Sequence, residues 1–135
     1  MSRKITVADA AAMLKEAQDI VILTHQYPDG DTLGSGFALC RALRSLGKRA
    51  RVECADEIPE KYDYMTEPMT LEAYEPRFIV AVDVADDKLL GALKETYEGR
   101  IDLCIDHHGS NTEYADNLLL KPDYAAAAMV ICEVL

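Results

Sequence analysis

Residues 19–25 read Asp19-Ile-Val-Ile-Leu-Thr-His25, a short β-branched run that ends on a histidine. A continuous apolar run of this length marks a strand buried on both faces, as in parallel sheets. Phe78-Ile-Val-Ala-Val-Asp83 and Ile101-Asp-Leu-Cys-Ile-Asp106 have the same form. Ala50-Arg-Val-Glu-Cys54 reads as a further strand and Asn117-Leu-Leu-Leu120 as a short fifth. Helical patterns lie between them. Thr6 is a natural N-cap for a helix over residues 7–17, with Asp9 at the favourable end of the dipole. Gly34 to Leu46 has helical periodicity, with Phe37, Leu39, Leu43 and Leu46 as its expected buried stripe and Gly47 as its stop. Lys88 to Tyr97 reads as a helix ending at Gly99, and the Ala-rich stretch from Tyr124 to Leu135 is helical in character. Residues 55–76 are polar and carry Pro59, Pro68 and Pro76, so loop and short helix are expected there. Strands alternating with helices predict an α/β fold, a mainly parallel sheet of about five strands flanked by helices.

The chain has 135 residues, half of them hydrophobic, which suffices for one domain with a real core. That apolar share excludes global disorder. No apolar run approaches a membrane span, and the start Met1-Ser-Arg-Lys-Ile-Thr-Val lacks the apolar core of a signal peptide. A soluble, cytoplasmic protein is expected. The 24 acidic and 14 basic side chains give a net charge of -10, which argues against a protein that coats long nucleic acid. A small phosphorylated substrate stays open, because bound cations would supply positive charge. Cys40, Cys54, Cys104 and Cys132 form no C-x-x-C pair and read as small buried thiols in a reducing compartment.

In a parallel sheet, ligands collect at the carboxyl ends of the strands. The polar residues of interest fall there. His25 closes one strand, Asp83 another, and Asp106-His107-His108 a third. The loop His25-Gln-Tyr-Pro-Asp29-Gly-Asp31-Thr-Leu-Gly-Ser35 sets two aspartates four and six residues after a histidine. Imidazole with carboxylates suits a divalent ion such as Mn²⁺. The amides of Gly34 and Ser35, at the expected helix start, would suit a phosphate. The plainer reading of this loop is a Pro-Asp-Gly turn with a helix cap. Asp83 alone would read as an N-cap or a ribose contact. Asp106-His107-His108-Gly-Ser-Asn111 is hard to explain by packing, and a polar loop without ligand is its plainer reading. Adjacent side chains at a strand end are expected to diverge, so His107 and His108 take different roles. Together these are four aspartates and three histidines at one sheet edge. So many carboxylates would repel one another and raise their own pKa values unless divalent cations relieved them. Two ions about 3.5–4 Å apart with a bridging carboxylate are the pattern of phosphoryl-transfer hydrolases.

On these residues the chain resembles the DHH superfamily of phosphoesterases. The motif H-x-x-P-D-G-D-x-L-G-S, a strand-end Asp, and D-H-H-G-S-N occur in order as His25 to Ser35, Asp83, and Asp106 to Asn111. It looks most like the nanoRNase/pAp phosphatase branch, whose members degrade very short oligoribonucleotides and in several cases dephosphorylate 3′-phosphoadenosine 5′-phosphate (pAp). The resemblance implies a Rossmann-like DHH domain and two Mn²⁺ ions. His25, Asp29 and Asp83 would hold one ion; Asp31, Asp83 and His107 would hold the other, with Asp83 as the bridge. His108 would contact the substrate phosphate, Asp106 would orient the neighbouring histidines, and water would be the nucleophile. The implied partner is short RNA or a phosphorylated nucleotide. The alternatives are a pyrophosphatase, polyphosphatase or cyclic-dinucleotide phosphodiesterase of the same superfamily, or an inactive metal- or nucleotide-binding fragment.

Members of the superfamily also carry a C-terminal substrate-binding domain, and a further metal-binding Asp just beyond the helix that closes this chain. Neither has a counterpart in residues 1–135. Asp116 and Asp123 read as loop or cap residues. The expectation is a DHH catalytic domain over 1–135 that stops before its last metal-ligand motif, with one of the two metal sites incomplete. The apolar stretch Ala125 to Leu135 would then offer a surface for a homodimer.

Overall fold

A computed structural model of the chain describes residues 2–27, 29–54, 74–124, 126, 131 and 134. The elements in chain order are β1 (Arg3–Lys4), α1 (Val7–Glu16), β2 (Ile20–Leu23), α2 (Gly30–Ser45), β3 (Ala50–Glu53) and β4 (Phe78–Val82). A 3₁₀ turn (Asp87–Leu90), α3 (Leu93–Tyr97), β5 (Leu103–Asp106) and β6 (Asn117–Leu120) complete the set. The strands form one six-stranded sheet in the order β1-β6-β5-β4-β2-β3. Every pairing is parallel.

The expected strands are all present, and β2, β4 and β5 carry the buried runs that announced them. Alternation along β2 divides the core. Ile20 and Ile22 pack with Ala10 and Leu14 of α1 and Leu39 and Leu43 of α2 on one face. Val21 and Leu23 pack with Leu90, Tyr97 and Cys104 on the other. Burial on both faces is why these strands show no period of two in the sequence.

Four local expectations need correction. The sheet has a sixth strand, the two-residue β1, which pairs Arg3 with Asn117 and Lys4 with Leu118. Both of its residues are exposed, so no apolar pattern marks it. α2 begins at Gly30 rather than Gly34, because the Asp29 side chain accepts from Thr32 N and caps it there. Leu46 does not belong to the buried stripe. It is the C-cap of α2 and stays 61% exposed, whereas Leu39 and Leu43 are buried. The helix expected over Lys88–Tyr97 is broken at Gly91, whose φ of 61° and ψ of -130° lie outside helical space. The region before the break is 3₁₀ and only Leu93–Tyr97 is α-helical.

Of the closing stretch, Tyr124 ends a turn, with its N–H donating to Lys121 O (3.0 Å), and Ile131 and Val134 are helical. Most of that stretch, including Cys132, lies outside the described residues, as do residues 55–73. Cys40 and Cys104 are buried as expected, while Cys54 is half-buried.

Candidate metal and active site

The strand order reverses between β2 and β4, since β2 leads to β3 on one side and the chain then crosses to β4 on the other. A doubly wound sheet opens a crevice at such a point, beyond the carboxyl ends of its strands. His25 follows β2 there, Asp83 follows β4, and Asp106 ends β5 with His107 and His108 behind it. Asp29 and Asp31 enter from the cap and first turn of α2. Thr32 fastens that turn to the strand end, donating from Oγ1 to Val82 O at 3.1 Å. All seven residues singled out in the sequence thus converge on one edge.

Asp83 is the centre of the arrangement. Its φ of 61° is left-handed, a conformation that L residues other than glycine adopt rarely and Asp tolerates better than most. Its N–H still reaches Ile105 O (3.0 Å), so the turn away from β4 begins at this residue. It is 3% exposed. One oxygen, Oδ2, lies 3.6 Å from His25 Nε2. The other, Oδ1, lies 3.2 Å from His107 Nε2 and 3.7 Å from His108 Nδ1, yet it is buried with no hydrogen-bond partner. A buried, unpartnered carboxylate oxygen calls for a cation, because its desolvation is otherwise uncompensated.

The imidazoles are held by their opposite nitrogens. His25 Nδ1 lies 2.7 Å from Gln26 O, and His107 Nδ1 lies 3.1 Å from Tyr124 O. A carbonyl only accepts, so both Nδ1 atoms donate and both Nε2 atoms face carboxylates. Those carboxylates are Asp29 (3.6 Å) and Asp83 for His25, and Asp31 (3.5 Å) and Asp83 for His107. Such clamping of one ring nitrogen is what fixes a metal-ligating histidine. Two groups of possible ligand atoms result, each lying within 4.8 Å of one another: His25, Asp29 and Asp83, and Asp83, Asp106, His107 and His108. Asp31 reaches the second group through His107.

Asp106 is fully buried and fully engaged. Its Oδ1 accepts from His107 N (2.8 Å) and faces His108 Nδ1 (2.7 Å), and its Oδ2 accepts from Asn111 Nδ2 (2.9 Å). Three donors on two oxygens make it an organiser of the 107–111 loop. His107 and His108 do not diverge as expected. Their rings lie side by side, 4.2 Å between centroids and tilted by 42°. Their difference lies in their Nδ1 partners, a backbone carbonyl for one and Asp106 for the other.

Charge follows from burial. Desolvation pushes the Asp83 carboxyl above the usual carboxylate range. The Asp83 carboxylate beside it, with the Gln26 carbonyl and Asp29, holds the His25 imidazole up to about 9. Both shifts favour the proton-bound form, at Asp83 and at His25.

The earlier start of α2 removes one expectation. Gly34 and Ser35 lie inside the helix, so their amides are not the open N–H groups of a helix start. The plainer reading of the loop is partly realised, since Asp29 does cap α2. Asn111 stood inside the quoted D-H-H-G-S-N motif without a role, and its bond to Asp106 supplies one. The carbonyls of Gln26 and Tyr124 carry no side-chain signal and are visible only in the fold.

Fold and site together define an α/β protein with clustered carboxylates and imidazoles at the switch point of a parallel sheet. The chain belongs to the DHH family, whose N-terminal domain matches residues 19–135. It is 33% identical over 134 residues to the bifunctional oligoribonuclease and PAP phosphatase NrnA of Thermus thermophilus. That match takes in 93% of this chain and 39% of the relative, so the chain spans about two-fifths of the length of that protein. In fold it is similar to an exopolyphosphatase-related protein of Bacteroides fragilis, with a TM-score of 0.84 at 20% identity. That likeness covers 95% of this chain and 42% of the other. It is also similar to the exonuclease RecJ of Thermus thermophilus in complex with Mn²⁺, with a TM-score of 0.57 at 21% identity, covering 95% of this chain and 20% of that one. No helix among the described residues is long and apolar enough to cross a membrane.

Proposed function

We propose that the chain is the catalytic domain of a metal-dependent phosphoesterase that hydrolyses short oligoribonucleotides or pAp. The reading rests on Asp83, a buried carboxylate whose two oxygens face two separately clamped histidines and whose Oδ1 has no hydrogen-bond partner. The donor set fits divalent cations. Neutral imidazole nitrogens and carboxylates are ligands for Mn²⁺-type ions, and one carboxylate lies between two groups. His25, Asp29 and Asp83 would hold one ion, and Asp31, His107 and Asp83 the other. Asp106 is the poorer ligand for the second, because its oxygens already accept from the 107–111 loop. Bound there, divalent ions neutralise phosphate charge and make water a nucleophile at neutral pH.

The chain's own groups do the remaining work. His108 is 42% exposed at its side chain, against 17% for His107, and its Nδ1 is committed to Asp106. That leaves Nε2 to meet a substrate phosphate. Asp106 keeps the His108 ring in place through that contact. The loop from His25 to Asp29 and the 107–111 loop border the same cleft, which also includes Ser110.

The 33% identity to a bifunctional oligoribonuclease and PAP phosphatase is the ground for choosing a nucleotide substrate. The test is phosphate release from pAp with Mn²⁺, against Mg²⁺ and EDTA controls and against pyrophosphate in parallel. Release from pAp that EDTA abolishes is expected. Release from pyrophosphate alone would move the assignment to an inorganic substrate.

A further inference from the structure

The cleft beside Asp83 has a volume of about 450 Å³ and two kinds of lining. His25, Asp29, Asp83 and His108 supply the polar part, and Ala85 and Leu89 an apolar part. The apolar part suits a ligand that carries an apolar face as well as a charged group. Among the described residues, the large hydrophobics exposed to solvent are Tyr27 (81%), Leu46 (61%) and Leu89 (38%). Leu46 lies away from this edge, at the C-cap of α2. Leu89 lines the cleft, and Tyr27 directly follows Gln26, which also lines it and whose N–H donates to Leu89 O at 2.6 Å. Tyr27 lies two residues from His25 and two from Asp29. It holds a φ of 51°, left-handed for a bulky residue, and it precedes Pro28, which disfavours any but extended backbone. An exposed aromatic residue is thus carried between two lining residues of the cleft, Gln26 and Asp29, at a cost in backbone energy.

We infer that Tyr27 and Leu89 form a ledge that holds the nucleobase of the substrate, with the Tyr27 ring as its stacking surface. The inference rests on the phosphoesterase reading and narrows it. The substrate is a nucleotide or short oligonucleotide recognised partly by its base, and the base is gripped by this domain. Every base has a π-face, so such a ledge tolerates different bases and adds no affinity for pyrophosphate or polyphosphate, which carry none.

The chain has no tryptophan, so Tyr27→Trp introduces a single one at the ledge, excited apart from the remaining tyrosines. The probes are pAp and inorganic pyrophosphate, each with Mg²⁺. Loss of one base-stacking ring corresponds to an increase in Kd of about 5- to 150-fold. Tyr27→Ala is expected to raise the Kd for pAp by that factor and to leave the Kd for pyrophosphate unchanged. Tyr27→Trp is expected to keep wild-type affinity, with emission that changes with pAp and not with pyrophosphate. Equal pAp affinity in wild type and Tyr27→Ala would overturn the ledge and leave the phosphoesterase reading intact. Equal weakening for both ligands would make Tyr27 a structural residue and overturn it too. A wild-type protein that binds pyrophosphate but not pAp would overturn the nucleotide reading itself, and the ledge with it.

Discussion

Asp83 Oδ1 lies 3.2 Å from His107 Nε2 and has no hydrogen-bond partner, although it is buried. The other oxygen of the same carboxylate lies 3.6 Å from His25 Nε2. Removing the charge of Asp83 must therefore affect both halves of the site. Asp83→Asn is expected to weaken binding of both Mn²⁺ ions by at least the 10- to 100-fold typical of lost supporting contacts, about 1.4–2.7 kcal/mol each. Calorimetric titration checks this. Two ions bound as tightly as in wild type would rule out a shared ligand.

The separate clamps predict separable effects. His25→Ala is expected to weaken one ion and spare the other. His108→Ala is expected to leave both in place while lowering the rate of phosphate release, because its Nδ1 is directed to Asp106 at 2.7 Å. A titration showing lost metal in His108→Ala would make it a ligand instead.

Asp106→Ala should act at a distance. It would leave the His107 amide, His108 Nδ1 and Asn111 Nδ2 without their acceptor. A loss of metal affinity of about 10- to 100-fold is expected, the range seen when an orienting partner is removed. Unchanged affinity would show that the 107–111 loop holds its shape without it.

Cation binding should stabilise the fold. At a free concentration about 100-fold above Kd, one site contributes about 2.7 kcal/mol, near 10 °C in Tm for a domain of this size. A thermal scan with Mn²⁺ and then with excess EDTA measures it. The expected rise should vanish with EDTA and be much reduced in Asp83→Asn.

The Cys104 thiol offers a control on the core behind the site. Burial pushes it up to about 12, and its sulfur sits 3.2 Å from Tyr114 Oη. At about pH 8 roughly one such thiol in ten thousand is ionised, so alkylation of the native protein should pass it by. Peptide mapping is expected to find Cys54 labelled and Cys104 labelled only after unfolding. Native labelling at Cys104 would show that this core opens.

The legible parts of the chain were those where one physical signal dominated. Continuous apolar runs marked β2, β4 and β5 because both faces of the sheet are covered. β1 was invisible because Arg3 and Lys4 are exposed and are held by pairing with β6 alone. The start of α2 lies four residues ahead of its expected place because the first residues, Gly30, Asp31 and Thr32, carry no apolar pattern and are set by the Asp29 cap. In the site, His25, Asp83 and Asp106 to His108 were legible because titratable groups seldom end buried strands. The clamps on His25 and His107 were not, since they are backbone carbonyls brought in by the fold. Nor was the left-handed backbone at Asp83, which no side chain announces.

If Asp83 serves two ions, their electron spins are coupled through it. Electron paramagnetic resonance of the protein loaded with two equivalents of Mn²⁺ reads this coupling. An exchange-coupled spectrum from a pair of ions is expected, replaced in Asp83→Asn by the hyperfine pattern of isolated Mn²⁺. An isolated-ion spectrum in the wild-type protein would mean that Asp83 bridges no pair.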